Sequence, residues 1–165
     1  MTGYPIPPVV AYYTDPSYRL SKYLAWWFRE TANFTSKRSI LNSTTLAHEL
    51  DDRVFPLGSR LVSFDAVSMF TRIPVQYTID LVVNNLCNRQ LPQNIIDEFK
   101  TLIQLCLKDN TYKFQNKTYQ FPDGLPMGGS LSTLLADVFM SHMEYTILED
   151  PSAAQSILHY GRYVD

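Results

Sequence analysis

Short apolar runs bounded by turn residues, set among longer segments with helical apolar spacing, predict an α+β fold. Three observations carry that prediction. Leu20, Leu24, Trp27 and Phe28 recur at i, i+4, i+7 and i+8, which is one face of an amphipathic helix. Leu61-Val62-Ser63-Phe64-Asp65 is an apolar run that ends on an acid, the pattern of a buried strand. Tyr112-Lys113-Phe114 and Thr118-Tyr119-Gln120-Phe121 flank a polar turn around Asn116, the pattern of a hairpin.

The elements follow in order. Pro5, Pro7 and Pro8 keep the N-terminal segment out of a helix. Asp15-Pro16 reads as a helix start, with Asp15 at the N-cap and Pro16 at the first helical position. Residues 31–45 are rich in Ser, Thr and Asn and form a polar loop, with a short helix near 43–51. Pro74 opens a helix to about Asn88, with Ile79, Val82, Val83 and Leu86 on one face. Pro92 opens another to about Lys108, carrying Ile95, Ile96, Phe99, Leu102, Ile103 and Cys106. Past the hairpin, a glycine-rich strand-to-helix turn at 124–132 runs into a helix with Leu131, Leu134, Leu135, Val138 and Phe139. Residues 156–165 read as a last strand.

Composition narrows the function classes. The chain has 165 residues, 45% hydrophobic and 18% charged. That suits one compact domain or a piece of a larger one and argues against disorder. The net charge of −2 excludes a polycation that coats nucleic acid by charge alone. The charge is uneven, however: residues 16–60 carry seven Lys/Arg against four Asp/Glu, and residues 61–165 carry seven against eleven. The first part suits a polyanion, the second a cation. Two cysteines, Cys87 and Cys106, make neither a disulfide framework nor a zinc site and read as buried helix residues. No apolar run reaches the length of a membrane span, and no secretory leader is expected. A reducing intracellular compartment follows. His48, His142 and His159 are scattered and form no catalytic set.

Three features carry chemistry together. They are the acid Asp65 at a strand end with Phe70 beyond it, the glycine-rich turn, and the ending Tyr163-Val164-Asp165. Nucleotidyl transfer needs such parts. Two Mg²⁺ ions held by paired carboxylates activate a 3′-hydroxyl against an α-phosphate. Mg²⁺ takes hard oxygen ligands, often only one or two carboxylates with water and phosphates. Glycines let the backbone approach a nucleotide closely. A bulky aromatic beside the sugar clashes with a 2′-hydroxyl, the group that separates RNA from DNA building blocks.

The motifs carry a family resemblance over nearly the whole chain. Val62-Ser63-Phe64-Asp65-Ala66-Val67-Ser68-Met69-Phe70-Thr71-Arg72-Ile73-Pro74 resembles the first palm motif of reverse transcriptases, most like those of Penelope-like retroelements. Asp123-Gly124-Leu125-Pro126-Met127-Gly128 with Leu131-Ser132 resembles that family's D-G-L-x-M-G-S-P-L-S-P motif. Tyr163-Val164-Asp165 resembles the first three residues of Y-V-D-D. Residues 15–24 and 39–43 resemble segments that precede the palm.

The resemblance implies a right-hand polymerase palm, an antiparallel sheet packed on helices, over 61–165, truncated within its last hairpin. It implies partial helical fingers over 1–60. It brings Asp65 and the Tyr163–Asp165 strand side by side, and it implies RNA-directed DNA polymerase activity. Asp65 and Asp165 are then catalytic Mg²⁺ (or Mn²⁺) ligands, joined by the Ala66 carbonyl. Phe70 is the gate against ribonucleotides, and Met127 and Gly128 line the pocket of the incoming nucleotide and templating base. The partners are an RNA template, a DNA primer and deoxynucleoside triphosphates, with no membrane, in the nucleus. The alternative is a catalytically inactive palm remnant that binds RNA or protein.

Each residue also has a plainer reading. Asp65 alone suits a helix cap or turn, Asp165 a solvated acid, Phe70 a core aromatic, and Gly128-Gly129 a simple turn. Trp26-Trp27 is core or a base-stacking platform. Arg19, Lys22, Lys37 and Arg38 are a solvated face or template-phosphate contacts. The chain departs from the family at Gly129-Ser130 and Thr133, where the pattern has Ser-Pro and Pro. It also has Tyr4-Pro5-Ile6 in place of Arg-Pro-Ile.

Overall fold

A computed structural model describes residues 13, 15–108, 111–120 and 124–163, apart from the side chains of 112–114 and 120. Among them the elements run α1 (Tyr18–Ala32), β1 (Ser39–Ile40), α2 (Ser43–Asp51), α3 (Met69–Arg72), α4 (Val75–Cys87) and α5 (Gln93–Lys108). They continue with β2 (Thr111–Phe114), β3 (Lys117–Gln120), α6 (Ser130–Glu149), α7 (Pro151–Ser156) and β4 (Arg162–Tyr163). The fold is α+β and rich in helix. The chain divides into two compact units, residues 1–35 with 68–139, and residues 36–67 with 140–165. The boundary falls inside the first sequence motif, after Val67, and inside α6, after Phe139.

The first unit is built on α1, α4, α5 and the start of α6. The apolar stripe of α1 buries Leu24 and Phe28, that of α4 buries Ile79, Val82 and Leu86, and that of α5 buries Ile96, Phe99 and Ile103. These join Leu125, Leu131, Leu134 and Leu135 in one core. Phe28 is fully buried, a burial worth about 1.5–3 kcal/mol. Its ring stacks on Phe99 at 6.2 Å, and Trp27 meets Phe99 at 4.7 Å. The helix α1 starts at Tyr18, later than the Asp15-Pro16 signal. The reason is local: the Asp15 carboxylate accepts the Ser17 N–H at 2.7 Å and the Ser17 hydroxyl, a turn that precedes the helix.

The hairpin forms at the expected place, with Phe114 opposite Lys117. Gln115 and Asn116 both have positive φ, 48° and 61°, the two-residue turn whose twist suits antiparallel strands. Of the two cysteines only Cys106 is buried. Cys87 closes α4 on its outer side and is exposed, which corrects the expectation of two buried thiols.

The second unit holds α2, α7 and a short parallel pair. Asn42 caps α2, its side-chain oxygen accepting the Thr45 N–H at 2.8 Å. Asp150 caps α7, with Pro151 in the first turn. Ser39 pairs with Arg162 and Ile40 with Tyr163. Two expectations fail here. Residues 61–65 are no strand, and Leu61 and Phe64 are 93% and 94% exposed. An extended run becomes a strand only when a neighbour satisfies its N–H and C=O groups. Among the described residues β4 pairs with β1 and β2 with β3, so no strand lies beside 61–65. The same pairing means that Arg162–Tyr163 runs parallel to Ser39–Ile40 rather than against the Asp65 segment. Ser156, where the expected last strand begins, closes helix α7, and among the described residues only Arg162–Tyr163 of that strand is paired.

Candidate active site

Two sequence-predicted segments meet in the first unit. Ser68 sits in the left-handed region, φ 56°, and turns the chain into α3. Thr71 Oγ1 donates to the Ser68 carbonyl at 3.0 Å and braces that turn. Phe70 lies on α3, half-buried, with part of its ring against the core. Its carbonyl accepts the Leu125 backbone N–H at 2.7 Å. The bond brings the tail of the first motif to the head of the glycine-rich turn.

Gly124 makes this approach possible. Its φ is +83°, and a Cβ there would stand 2.4 Å from the Thr71 carbonyl oxygen and 2.6 Å from the Thr71 Cα. Only glycine combines that conformation with that contact. Leu125 and Pro126 then plug into the core. Beyond them Met127 is half-buried, Gly128 is exposed with φ +102°, and Gly129 is buried. The Gly129 carbonyl accepts the Thr133 N–H at 3.2 Å as α6 begins. Phe70, Met127 and Gly128 are thus carried by two segments held together through backbone contacts.

Asp65 and Ala66 lie in the second unit, both exposed and outside regular structure. Their donors are a carboxylate and a backbone carbonyl, hard oxygens that fit Mg²⁺ or Mn²⁺. Among the described residues no three His, Cys, Asp or Glu side chains gather into a metal-binding group. Asp123, Val164 and Asp165 lie outside the described residues, as do Tyr4-Pro5-Ile6.

The same unit contains a polar cluster that the sequence reading missed. Arg162 Nε donates to Glu144 Oε1 at 2.6 Å, with both side chains about 95% buried (5% and 4% exposed). Arg162 Nη2 donates to Ser36 Oγ at 2.7 Å, and Ser36 and Ser141 share a 3.3 Å hydroxyl contact. The Tyr160 hydroxyl donates to Glu144 at 3.4 Å. Burial, with Glu144 beside it, holds the Tyr160 phenol above its ordinary range. This cluster anchors the backbone just before Tyr163. The signal was Glu144, an acid set between apolar turns of α6, which calls for a cation where it is buried.

No helix among the described residues is long and apolar enough to cross a membrane. No family model matches the chain, and no curated protein or solved structure matches it either.

Proposed function

We propose that this chain is the palm and part of the fingers of an RNA-directed DNA polymerase, of the kind found in Penelope-like retroelements. One observation carries the reading. The segments resembling the first palm motif and the D-G-L-x-M-G motif are tied backbone to backbone at Phe70–Leu125, with Gly124 pressed against Thr71. Two distant segments that the resemblance assigns to one nucleotide platform are thus neighbours.

In this reading Phe70 meets the sugar edge of the incoming deoxynucleotide and rejects a 2′-hydroxyl by contact. Met127 and the bare backbone of Gly128 support the base pair. Asp65, the Ala66 carbonyl and Asp165 hold divalent cations, which supply charge neutralisation at the phosphates and a lowered pKa for the attacking hydroxyl. The template is RNA, the primer is DNA, and the compartment is the nucleus.

The test is primer extension on poly(rA)–oligo(dT) with dTTP. Extension with Mg²⁺ that stops on chelation is the expected result. No extension under any divalent cation contradicts the reading.

One observation favours the second reading, an inactive palm remnant that binds RNA or protein. Residues 61–65, which the active reading needs as a rigid support for Asp65, are exposed and pair with no strand among the described residues. RNA binding with a steep salt dependence and no extension would select it.

A further inference from the structure

We infer that the outer face of α1 binds single-stranded nucleic acid, with bases stacking on Tyr23 and Trp26 and phosphates meeting Arg19 and Lys22. The adjacent tryptophans have different surroundings. Trp27 packs on Phe99 at the core, whereas Trp26 is 57% exposed beside Tyr23, itself 54% exposed. The two outer rings stand 5.8 Å apart, tilted by 44°. Arg19, Lys22, Tyr23 and Trp26 are spaced i, i+3, i+4 and i+7 and are all exposed, so they share one helix face. Two large aromatics exposed on one helix face give flat surfaces on which bases can stack.

The charges point to the same ligand. Arg19 and Lys22 make no ion pair among the described residues, while Arg29, the other cation of the helix, is held by Asp137 at 2.6 Å. The face therefore offers flat π surfaces next to two cations that no acid pairs among the described residues. A single strand presents the complement, exposed base faces beside phosphates. A duplex hides its base faces. Glu30, a turn beyond Trp26, bounds the site at its C-terminal end. From Arg19 to Trp26 the helix rises about 10 Å, room for roughly two or three nucleotides at about 3.4 Å each. The inference stands apart from the polymerase reading, because it concerns binding alone.

The test is fluorescence anisotropy with labelled (dT)₁₂ and (rU)₁₂ across a salt series, in EDTA so that no catalysis intervenes. Base–aromatic stacking sets the expected loss for Trp26→Ala at about tenfold or more, with the salt slope unchanged. Trp26→Phe restores most of the affinity. Arg19→Gln with Lys22→Gln flattens the slope by about 1.4, roughly 0.7 for each lost contact on a single strand. The RNA and DNA arms show whether the face prefers one strand type. Circular dichroism of each variant confirms the fold. Wild-type affinity in folded Trp26→Ala overturns the inference, and so does an equal loss of affinity for a duplex of the same length. Oligonucleotide binding untouched by Trp26→Ala while self-association disappears would make the face a contact between copies.

Discussion

Leu125 donates its backbone N–H to the Phe70 carbonyl at 2.7 Å, and Gly124 beside it lies against the Thr71 backbone. The tail of the first sequence motif, from Ser68 on, and the glycine-rich turn are thereby joined within the first unit. The first prediction concerns the residue that permits the contact. Gly124→Ala forces a Cβ into the Thr71 carbonyl and strains a positive φ. The two effects cost about 3 kcal/mol together, or a fall in Tm of roughly 6–12 °C. Gly58 is the control, since it also has positive φ, +92°, with nothing within 4 Å of its Cβ position. Gly58→Ala bears only the backbone strain. Equal losses for the two variants would remove the steric argument.

Much of this fold was legible because its signals are local. The spacing of Leu24 and Phe28, of Ile79, Val82 and Leu86, and of Ile96, Phe99 and Ile103 fixes which face of each helix is buried. The residues Gln115-Asn116 announce the hairpin turn. What was not legible depends on pairing at a distance. The run 61–65 has a strand's residues but no neighbour among the described strands, and strand formation belongs to the pair rather than to the run. The close approach of Gly124 is likewise visible only with Thr71 in place.

The buried pair Glu144–Arg162 yields a stability prediction. Removing one partner strands a charge at a nearly dry site, so Glu144→Leu or Arg162→Met alone loses about 3–5 kcal/mol. The double replacement regains a large part of that loss, because no unpaired charge remains. Urea denaturation of the four proteins measures the coupling. Additive losses would show that the two side chains do not act as a unit.

The thiols respond to pH and reagent differently. Burial, with a smaller push from Asp15, raises the Cys106 thiol above its ordinary value. The folded state therefore favours the neutral thiol. That contribution is complete below the ordinary thiol range and is lost as pH rises through the raised value. Stability then falls on the alkaline side, and Cys106→Ala makes that fall shallower. With a thiol reagent near neutrality, exposed Cys87 reacts at once and Cys106 only on unfolding. Prompt labelling of both would contradict the burial of Cys106.

Phe70 separates the two sugars if its ring meets the incoming nucleotide. Phe70→Ala should raise ribonucleotide incorporation relative to deoxynucleotide by on the order of tenfold to a hundredfold, measured as the ratio of kcat/KM. An unchanged ratio would leave Phe70 as a core residue only.

In the polymerase reading Asp65 serves a metal-dependent centre. The most direct measurement compares wild type with Asp65→Ala in Mg²⁺-dependent primer extension, with oligonucleotide affinity recorded in parallel. Asp65 is exposed, so its replacement should leave the fold intact. Extension falls by about a hundredfold to a thousandfold, as for loss of a charge-stabilising catalytic group, with affinity retained. Extension equal to wild type would contradict that reading.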